Sequence, residues 1–295
     1  MRVTAEELRF DFKGARFDLS RPGELALLRW IFSQFLYGEV TGIQCGHWLY
    51  RAPHLGAATF LARQASEELS HVRKFLRIFS LIGERPERAH PAIRFLSTGM
   101  MGKSWGEHVA LEMALGEGLV LGAFYALVDT IDDPEIHRIL ATAAAEEERH
   151  VEFGESEAAT WLVSHPKDRP VLLAKALLQT WTLSRIRRFI SRKFSRGNLA
   201  EHPVLRQLDA FFEHSIRCFD LRIDRLGLSW VPVRSMTRLE RVWLVGSLPF
   251  RGLAARIRRF FRAGAPLLTT TYLSDPALKE EQERFLSSRP ASHSD

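Results

Sequence analysis

The sequence contains the same arrangement of glutamate and histidine twice. A glutamate is followed 29 residues later by Glu-x-x-His in the first copy and 30 residues later in the second. Residues three apart on an α-helix share one face, so each Glu-x-x-His presents a carboxylate and an imidazole side by side. The pattern therefore favours long helices that bring the two copies together. The six residues are Glu39, Glu68 and His71 in the first copy and Glu117, Glu147 and His150 in the second.

Apolar residues recur with a helical period along almost the whole chain. Helix boundaries are indicated by Pro22 in a first turn, Gly83 after a last turn, and Asp133 followed by Pro134. Four helices of this length favour a four-helix bundle, so the predicted fold class is an all-α bundle with additional C-terminal helices. The predicted helices lie at about 20–50, 55–82, 104–130, 134–165, 170–195, 203–226 and 235–263, and a polar tail that we expect to be disordered follows them.

The repeated carboxylates lie on apolar stripes that face the core. Glu39 has Phe35 and Ile43 on its face, and Glu147 has Leu140 and Val151. Burying one bare carboxylate costs several kcal/mol, and four together repel one another. Two divalent cations would remove both problems, because four carboxylates and two imidazoles form the ligand set that holds two irons or manganese ions in a bundle core. The sequence therefore predicts a dinuclear metal site made by the six repeated residues.

The ligand on the third helix has an alternative. Glu112 precedes Glu117 by five residues, which places the two about 140° apart on an α-helix, so they cannot both face the metals equally. We prefer Glu117 because it reproduces the spacing of the first copy and its Gly-Glu context. The nearby Gly42 and Gly46 either allow close helix packing or leave space for a substrate.

Cysteine content and the N-terminus restrict the classes of protein that fit. Two cysteines, Cys45 and Cys218, are too few for a disulfide scaffold or a Cys-rich metal module. The first residues contain no apolar segment typical of a secretory signal, and no run of about 18 uncharged apolar residues is present. We therefore expect a cytoplasmic protein.

Charge is divided unevenly along the chain. Residues 1–165 carry a formal charge of −6 and residues 166–295 a charge of +12, which predicts an acidic bundle domain and a basic helical extension. In the stretches 184–196 and 243–262, arginines alternate with Phe, Ile and Trp, a composition typical of helices on anionic membranes. RNA, an acidic carrier protein and a solvated helix face are the alternatives. We favour the membrane, which would place the protein peripherally on its inner surface.

The segment around Glu39, GEVTGIQCGHWLY, resembles the corresponding helix of the demethoxyubiquinone hydroxylases, and FLARQASEELSHVRKFLRI resembles a helix of tRNA hydroxylases that act on modified adenosine. The ligand order is similar to that of aldehyde-deformylating oxygenases. All three belong to the ferritin-like di-iron carboxylate superfamily, and the resemblance covers about residues 22–160. It implies that Glu39 and His71 bind one metal, Glu117 and His150 bind the other, and Glu68 and Glu147 bridge them.

The resemblance implies a ferritin-like fold and an oxygenase or hydroxylase with two Fe ions, or Mn and Fe, that uses dioxygen as co-substrate. It also implies an electron donor protein. The basic aromatic extension favours a hydrophobic substrate such as a lipid, quinone, aldehyde or acyl group. The alternatives are hydroxylation of a tRNA base, a ferritin-like or rubrerythrin-like iron oxidase or peroxidase, and a metal-free interaction protein.

Overall fold

The computed structural model describes residues 3–99, 101–194 and 202–250, together with the single positions 276, 280, 283 and 284. Within these residues all regular secondary structure is helical, and the only strand-like pairing is an isolated bridge between Phe17 and Ile131. The all-α prediction is confirmed. The four single positions belong to the tail that we expected to be disordered, and they are helical. The rest of that tail lies outside the described residues, as do the end of the helix expected at 235–263 and the arginines at 256–262.

The helices closely follow the predicted positions, with short helical turns between them. The first half contains α1 (Ala5–Leu8), α2 (Pro22–Gly42), a 3₁₀ helix (Ile43–Arg51), α3 (Leu55–Leu81), α4 (Pro91–Arg94) and a π turn (Phe95–Gly99). A continuous helix follows, made of α5 (Trp105–Glu107), a π-helical segment (His108–Glu117) and α6 (Gly118–Thr130). The remainder consists of α7 (Pro134–Ser164), a 3₁₀ turn (Pro166–Asp168), α8 (Arg169–Phe194), α9 (Pro203–Arg206), α10 (Leu208–Arg225), a 3₁₀ turn (Val233–Ser235) and α11 (Arg238–Gly246).

Capping residues and glycine define the ends of the long helices at the positions that the sequence indicates. The Asp133 side chain accepts hydrogen bonds from two backbone N–H groups at the start of α7, and Pro134 occupies its first position. Gly83 follows α3 with a φ of +68°, a conformation that glycine adopts without strain. The helix predicted to begin at about residue 20 begins at Pro22, with Arg21 as its N-cap, and the Ser20 hydroxyl donates a hydrogen bond to Asp18.

The helix containing Glu117 is not a regular α-helix. Its segment from His108 to Glu117 is π-helical, with hydrogen bonds from residue i to residue i+5. The angle of about 140° between Glu112 and Glu117 assumes regular α geometry, so it does not apply here. In a π-helix, residues five apart lie about one turn above one another. π-Helical turns are rare in proteins, and those that occur are frequently found at functional sites.

Two hydrophobic clusters form the core. The first joins the four long helices through residues such as Phe32 of α2, Phe75 of α3, Phe124 of α6 and Leu140 of α7. The second joins the 3₁₀ helix and the π-helical segment to α8, α10 and α11. The C-terminal helices thus contribute side chains to the same packed interior as the first 165 residues.

One described helix is long and apolar enough to cross a membrane by length and composition. It is the continuous helix from Trp105 to Thr130, and 61% of its most apolar window is buried inside the protein. Core helices of soluble proteins pass the same test, so this is weak evidence for a membrane span.

A buried ion pair connects the C-terminal helices to α7. The guanidinium of Arg222, whose residue is 1% exposed, donates through Nε to Glu155 Oε1 at 2.7 Å. Gly118 leaves the space that this guanidinium occupies, since a Cβ there would overlap it. Removing one partner of a buried pair leaves the other charge without compensation.

We therefore expect Glu155→Ala to lower the free energy of unfolding by about 3–5 kcal/mol. The matched control is Ser156→Ala at the neighbouring exposed position, which should change it by less than about 0.5 kcal/mol. Urea unfolding followed by circular dichroism measures both. Equal stability of the two variants would contradict a structural role for the Arg222–Glu155 pair.

Candidate metal centre

The structure brings all six repeated residues into one cluster between α2, α3, the π-helical segment and α7. Two overlapping groups have ligand atoms that lie within 4.8 Å of one another. One group contains Glu39 and His71, the other contains Glu117 and His150, and both contain Glu68 and Glu147. Two adjacent cations could therefore be held with Glu68 and Glu147 between them, the arrangement that the resemblance implies.

Each imidazole directs its Nδ1 atom toward the carboxylates. For His71, Nδ1 lies 2.9 Å from Glu39 Oε2 and 3.3 Å from Glu147 Oε1. For His150, Nδ1 lies 3.5 Å from both Glu68 Oε1 and Glu147 Oε2. One nitrogen of each ring and the surrounding carboxylate oxygens thus converge on a common volume.

Burial makes this convergence costly without cations. The two histidines are 0% exposed, and Glu39, Glu68 and Glu147 are 3–4% exposed. Among the described side chains, Glu117 Oε2, Glu147 Oε2 and His150 Nδ1 are buried and make no hydrogen bond. Buried polar atoms normally have a partner, and all three belong to the ligand group of Glu68, Glu117, Glu147 and His150, where a cation would supply one. The residues present therefore fit a dinuclear metal centre.

The close packing of carboxylates and imidazoles shifts the pKa values of the residues in the cluster. Burial and repulsion by Glu147 and Glu39 raise the pKa of Glu68 well above its ordinary value. Burial alone would lower the pKa of His71, but hydrogen bonds with Glu147 and Glu39 outweigh it and raise the pKa to about 10. Burial would also lower the pKa of His150, but the nearby carboxylates of Glu147 and Glu117 and the hydrogen bond to Glu67 raise it to about 9. Without metal, the cluster compensates its negative charge by holding protons.

Two further glutamates, whose role the sequence analysis did not assign, orient the histidines. Glu146 Oε2 accepts a hydrogen bond from His71 Nε2 at 2.7 Å, and Glu67 Oε2 accepts one from His150 Nε2 at 2.8 Å. Each carboxylate comes from the helix opposite to its histidine. A hydrogen bond to Nε2–H leaves Nδ1 free to bind a metal and fixes the ring orientation. The signal in the sequence was the extra glutamate immediately before each Glu-x-x-His.

Basic residues keep these two outer carboxylates ionised. Glu67 also accepts hydrogen bonds from Arg63 and Arg149, both at 2.9 Å. Burial would raise the pKa of Glu67, but the hydrogen bonds from His150, Arg63 and Arg149 lower it to about 2. Lys74 binds Glu146 in the equivalent position, and the pKa of Glu146 is also lowered.

The structure places Glu117, and not Glu112, in the cluster. Glu112 lies on the same π-helical segment, but its carboxylate accepts a hydrogen bond from the backbone N–H of Gly102 and lies 2.9 Å from His108 Nδ1. Glu117 Oε1 accepts a hydrogen bond from Gln64 Nε2 at 2.9 Å. The Glu117 side chain is 21% exposed, in contrast to the other five residues, but its Oε2 atom is buried.

Gly42 provides space for Glu68. A Cβ at Gly42 would lie 2.7 Å from the carboxyl carbon of Glu68, whereas a Cβ at Gly46 would make only an ordinary contact with Ala65. The sequence left two interpretations of Gly42 and Gly46, close packing or space for a substrate. Close packing describes Gly42, and the group packed against it is the carboxylate of Glu68.

Comparisons of the chain with protein-family models, with curated proteins and with solved structures each returned no match. The interpretation of the cluster therefore depends on the residues of this chain alone.

The contact between Gly42 and Glu68 can be tested with two alanine variants of the same helix. Gly42→Ala should displace the Glu68 carboxylate and weaken metal affinity about 10–100-fold, the range seen when support of a ligand is lost. Gly38→Ala has nothing within 4 Å of the added Cβ and should leave affinity unchanged. Titration of the metal-free proteins with Fe²⁺ under anaerobic conditions measures both. Equal affinity of both variants would show that Gly42 has no role in placing Glu68.

Metal binding should release protons near neutral pH. Because the pKa values of His71 and His150 are raised to about 10 and 9, both rings are protonated at pH 7 in the metal-free protein and must lose a proton before Nδ1 binds a cation. Affinity should therefore decrease as pH falls. Calorimetric titration in buffers with different ionisation enthalpies measures the protons released, and a binding heat independent of buffer would contradict this expectation.

Proposed function

We propose that this chain is a ferritin-like di-iron oxidoreductase that uses dioxygen to oxidise a hydrophobic organic substrate. The observation that carries the proposal is the pair of overlapping ligand groups that share Glu68 and Glu147. Four carboxylates balance the charge of two divalent cations, so loading the site would leave a neutral buried centre. The four core helices that supply these ligands agree with a bundle of the ferritin type.

Iron is the metal we propose, with a mixed manganese and iron pair as the alternative. Nitrogen and oxygen ligands without thiolates suit both ions, so the ligand set does not discriminate between them. When bound, the metal pair would supply the redox chemistry and the site of dioxygen activation.

The residues of the chain orient the ligands and control access. Glu67 and Glu146 hold the imidazoles in the tautomer that directs Nδ1 inward. The ligands Glu39 and Glu147 are buried, while the Glu117 side chain is 21% exposed. We propose that substrate approaches on the Glu117 side, where Gln64 Oε1 is buried and makes no hydrogen bond.

An external electron donor is part of this proposal, and the surface near His71 supports it. A cleft of about 290 Å³ between α3 and α7 is lined by four basic residues and one acidic residue, Glu135, which forms an ion pair with Arg77. The basic residues are Arg73, Lys74, Arg77 and Arg138. Lys74 binds Glu146, which accepts the hydrogen bond from His71. A cationic cleft that lies next to a ligand's hydrogen-bond partner suits an acidic electron-transfer protein.

Metal analysis tests the proposed centre. Protein loaded with Fe²⁺ should bind about two ions per chain, and Glu68→Ala and His150→Ala should each bind fewer than one. Glu112→Ala is the control: it removes a nearby carboxylate outside both ligand groups and should retain the metals. Circular dichroism shows whether each variant is folded.

The loaded protein should then consume dioxygen in the presence of a reductant and a lipid, quinone or fatty aldehyde. Iron oxidation without dependence on any organic compound would favour the ferritin-like or peroxidase alternative. Retention of tRNA in a gel shift would favour tRNA hydroxylation. Unchanged metal content in both ligand variants would contradict the dinuclear centre itself.

A further inference from the structure

Exposed large apolar side chains are concentrated in one short part of the structure. Of the thirteen such side chains among the described residues, six lie between positions 230 and 250. They are 50–82% exposed, whereas side chains of this kind are usually scattered singly over a protein surface. The six are Trp230, Val231, Leu239, Val242, Trp243 and Phe250.

Three of these side chains, Leu239, Val242 and Trp243, lie on α11, which is anchored in the protein interior. Leu244 of α11 is buried in the second hydrophobic cluster, together with residues of α8 such as Leu173 and Leu177. At the start of α11, Thr237 and Glu240 form a capping box that satisfies the first backbone N–H groups. Leu239 and Val242 lie on the side of the helix away from Leu244 and are 82% and 62% exposed.

Two exposed arginines lie in the same stretch of the chain as the apolar side chains. Arg234 and Arg238 are exposed in the same stretch, and the carboxylate of Glu240 is engaged in the capping box. On α8, which packs against α11, Trp181 is 54% exposed and the guanidinium of Arg185 lies 5.1 Å from the centre of its ring. We call the six side chains together with Arg234 and Arg238 the apolar–basic surface.

We propose that the apolar–basic surface docks on an anionic lipid bilayer. Aliphatic and aromatic side chains insert at the boundary between headgroups and acyl chains, and arginines bind the anionic headgroups. The +12 charge of residues 166–295 complements a negatively charged membrane surface.

The aliphatic members of the surface favour a bilayer over other anionic partners. Leu239, Val242 and Val231 can neither stack on a nucleobase nor donate a hydrogen bond to a carboxylate. Recognition of single-stranded RNA depends on aromatic stacking and hydrogen bonds to bases. Hydrocarbon is the environment in which exposed leucine and valine gain most from transfer out of water.

This docking deepens the proposed function. Resting on that function, it assigns the substrate to the class of compounds dissolved in a bilayer, such as a quinone or an acyl lipid. Docking itself is independent of the metal site and can be measured without it.

Sedimentation with vesicles tests the proposal. Full-length protein should bind vesicles of equal parts phosphatidylcholine and phosphatidylserine, bind less with added salt, and bind weakly to vesicles of phosphatidylcholine alone. The double variant Leu239→Ser/Val242→Ser should lose about tenfold or more in vesicle affinity, and Arg234→Glu/Arg238→Glu should lose a similar amount at low salt.

The matched control is Val163→Ser on α7, because Val163 is also 82% exposed but lies outside the apolar–basic surface. It should bind vesicles like the unmodified protein. Absence of binding by the unmodified protein, or equal binding by the Leu239→Ser/Val242→Ser variant, would overturn the proposal. Gel-shifted RNA together with unaffected vesicle binding in both double variants would also overturn it.

Failure of this inference can be distinguished from failure of the proposed function. The Leu239→Ser/Val242→Ser variant should bind iron like the unmodified protein, and His150→Ala should bind vesicles normally. Vesicle binding without iron binding would remove the oxidoreductase and leave the docking surface. Iron binding without vesicle binding would leave the metal centre and remove the docking surface.

Discussion

Four carboxylates in the interior of a helical protein form the constraint on which the rest of this structure depends. Glu39, Glu68 and Glu147 are almost completely buried, and Glu117 is only partly exposed. Such a group of like charges is unfavourable unless it is neutralised by protons or by cations. The surrounding structure supports this cluster. Two imidazoles lie within it, Gly42 leaves space for the Glu68 carboxylate, and arginine and lysine bind the two outer glutamates.

The interior on either side of the cluster is ordinary hydrophobic packing. One cluster of apolar side chains joins the four long helices, and the other joins the 3₁₀ and π-helical segments to the C-terminal helices. Cooperative packing on both sides fixes the backbone positions from which the ligands project. The π-helical segment, which contains Glu112 and Glu117, interrupts this regularity.

Much of this arrangement could be predicted from the sequence because its determinants are local. Helix ends at Gly83 and Asp133 follow from backbone preferences and capping, and the two Glu-x-x-His motifs follow from helical spacing. The π-helical geometry was not predicted, because the angle between Glu112 and Glu117 was derived for a regular α-helix. The pairing of Glu67 with His150 also requires knowledge of which helices are neighbours, as does the contact between Gly42 and Glu68.

The crossed hydrogen bonds of the two histidines relate the halves of the molecule to each other. His71 of α3 donates a hydrogen bond to Glu146 of α7, and His150 of α7 donates one to Glu67 of α3. The two hydrogen bonds are equivalent: in each, the histidine of one motif binds the glutamate that precedes the other motif. Neither helical pair contains everything that its own histidine requires, so the centre is a property of the association of two similar units.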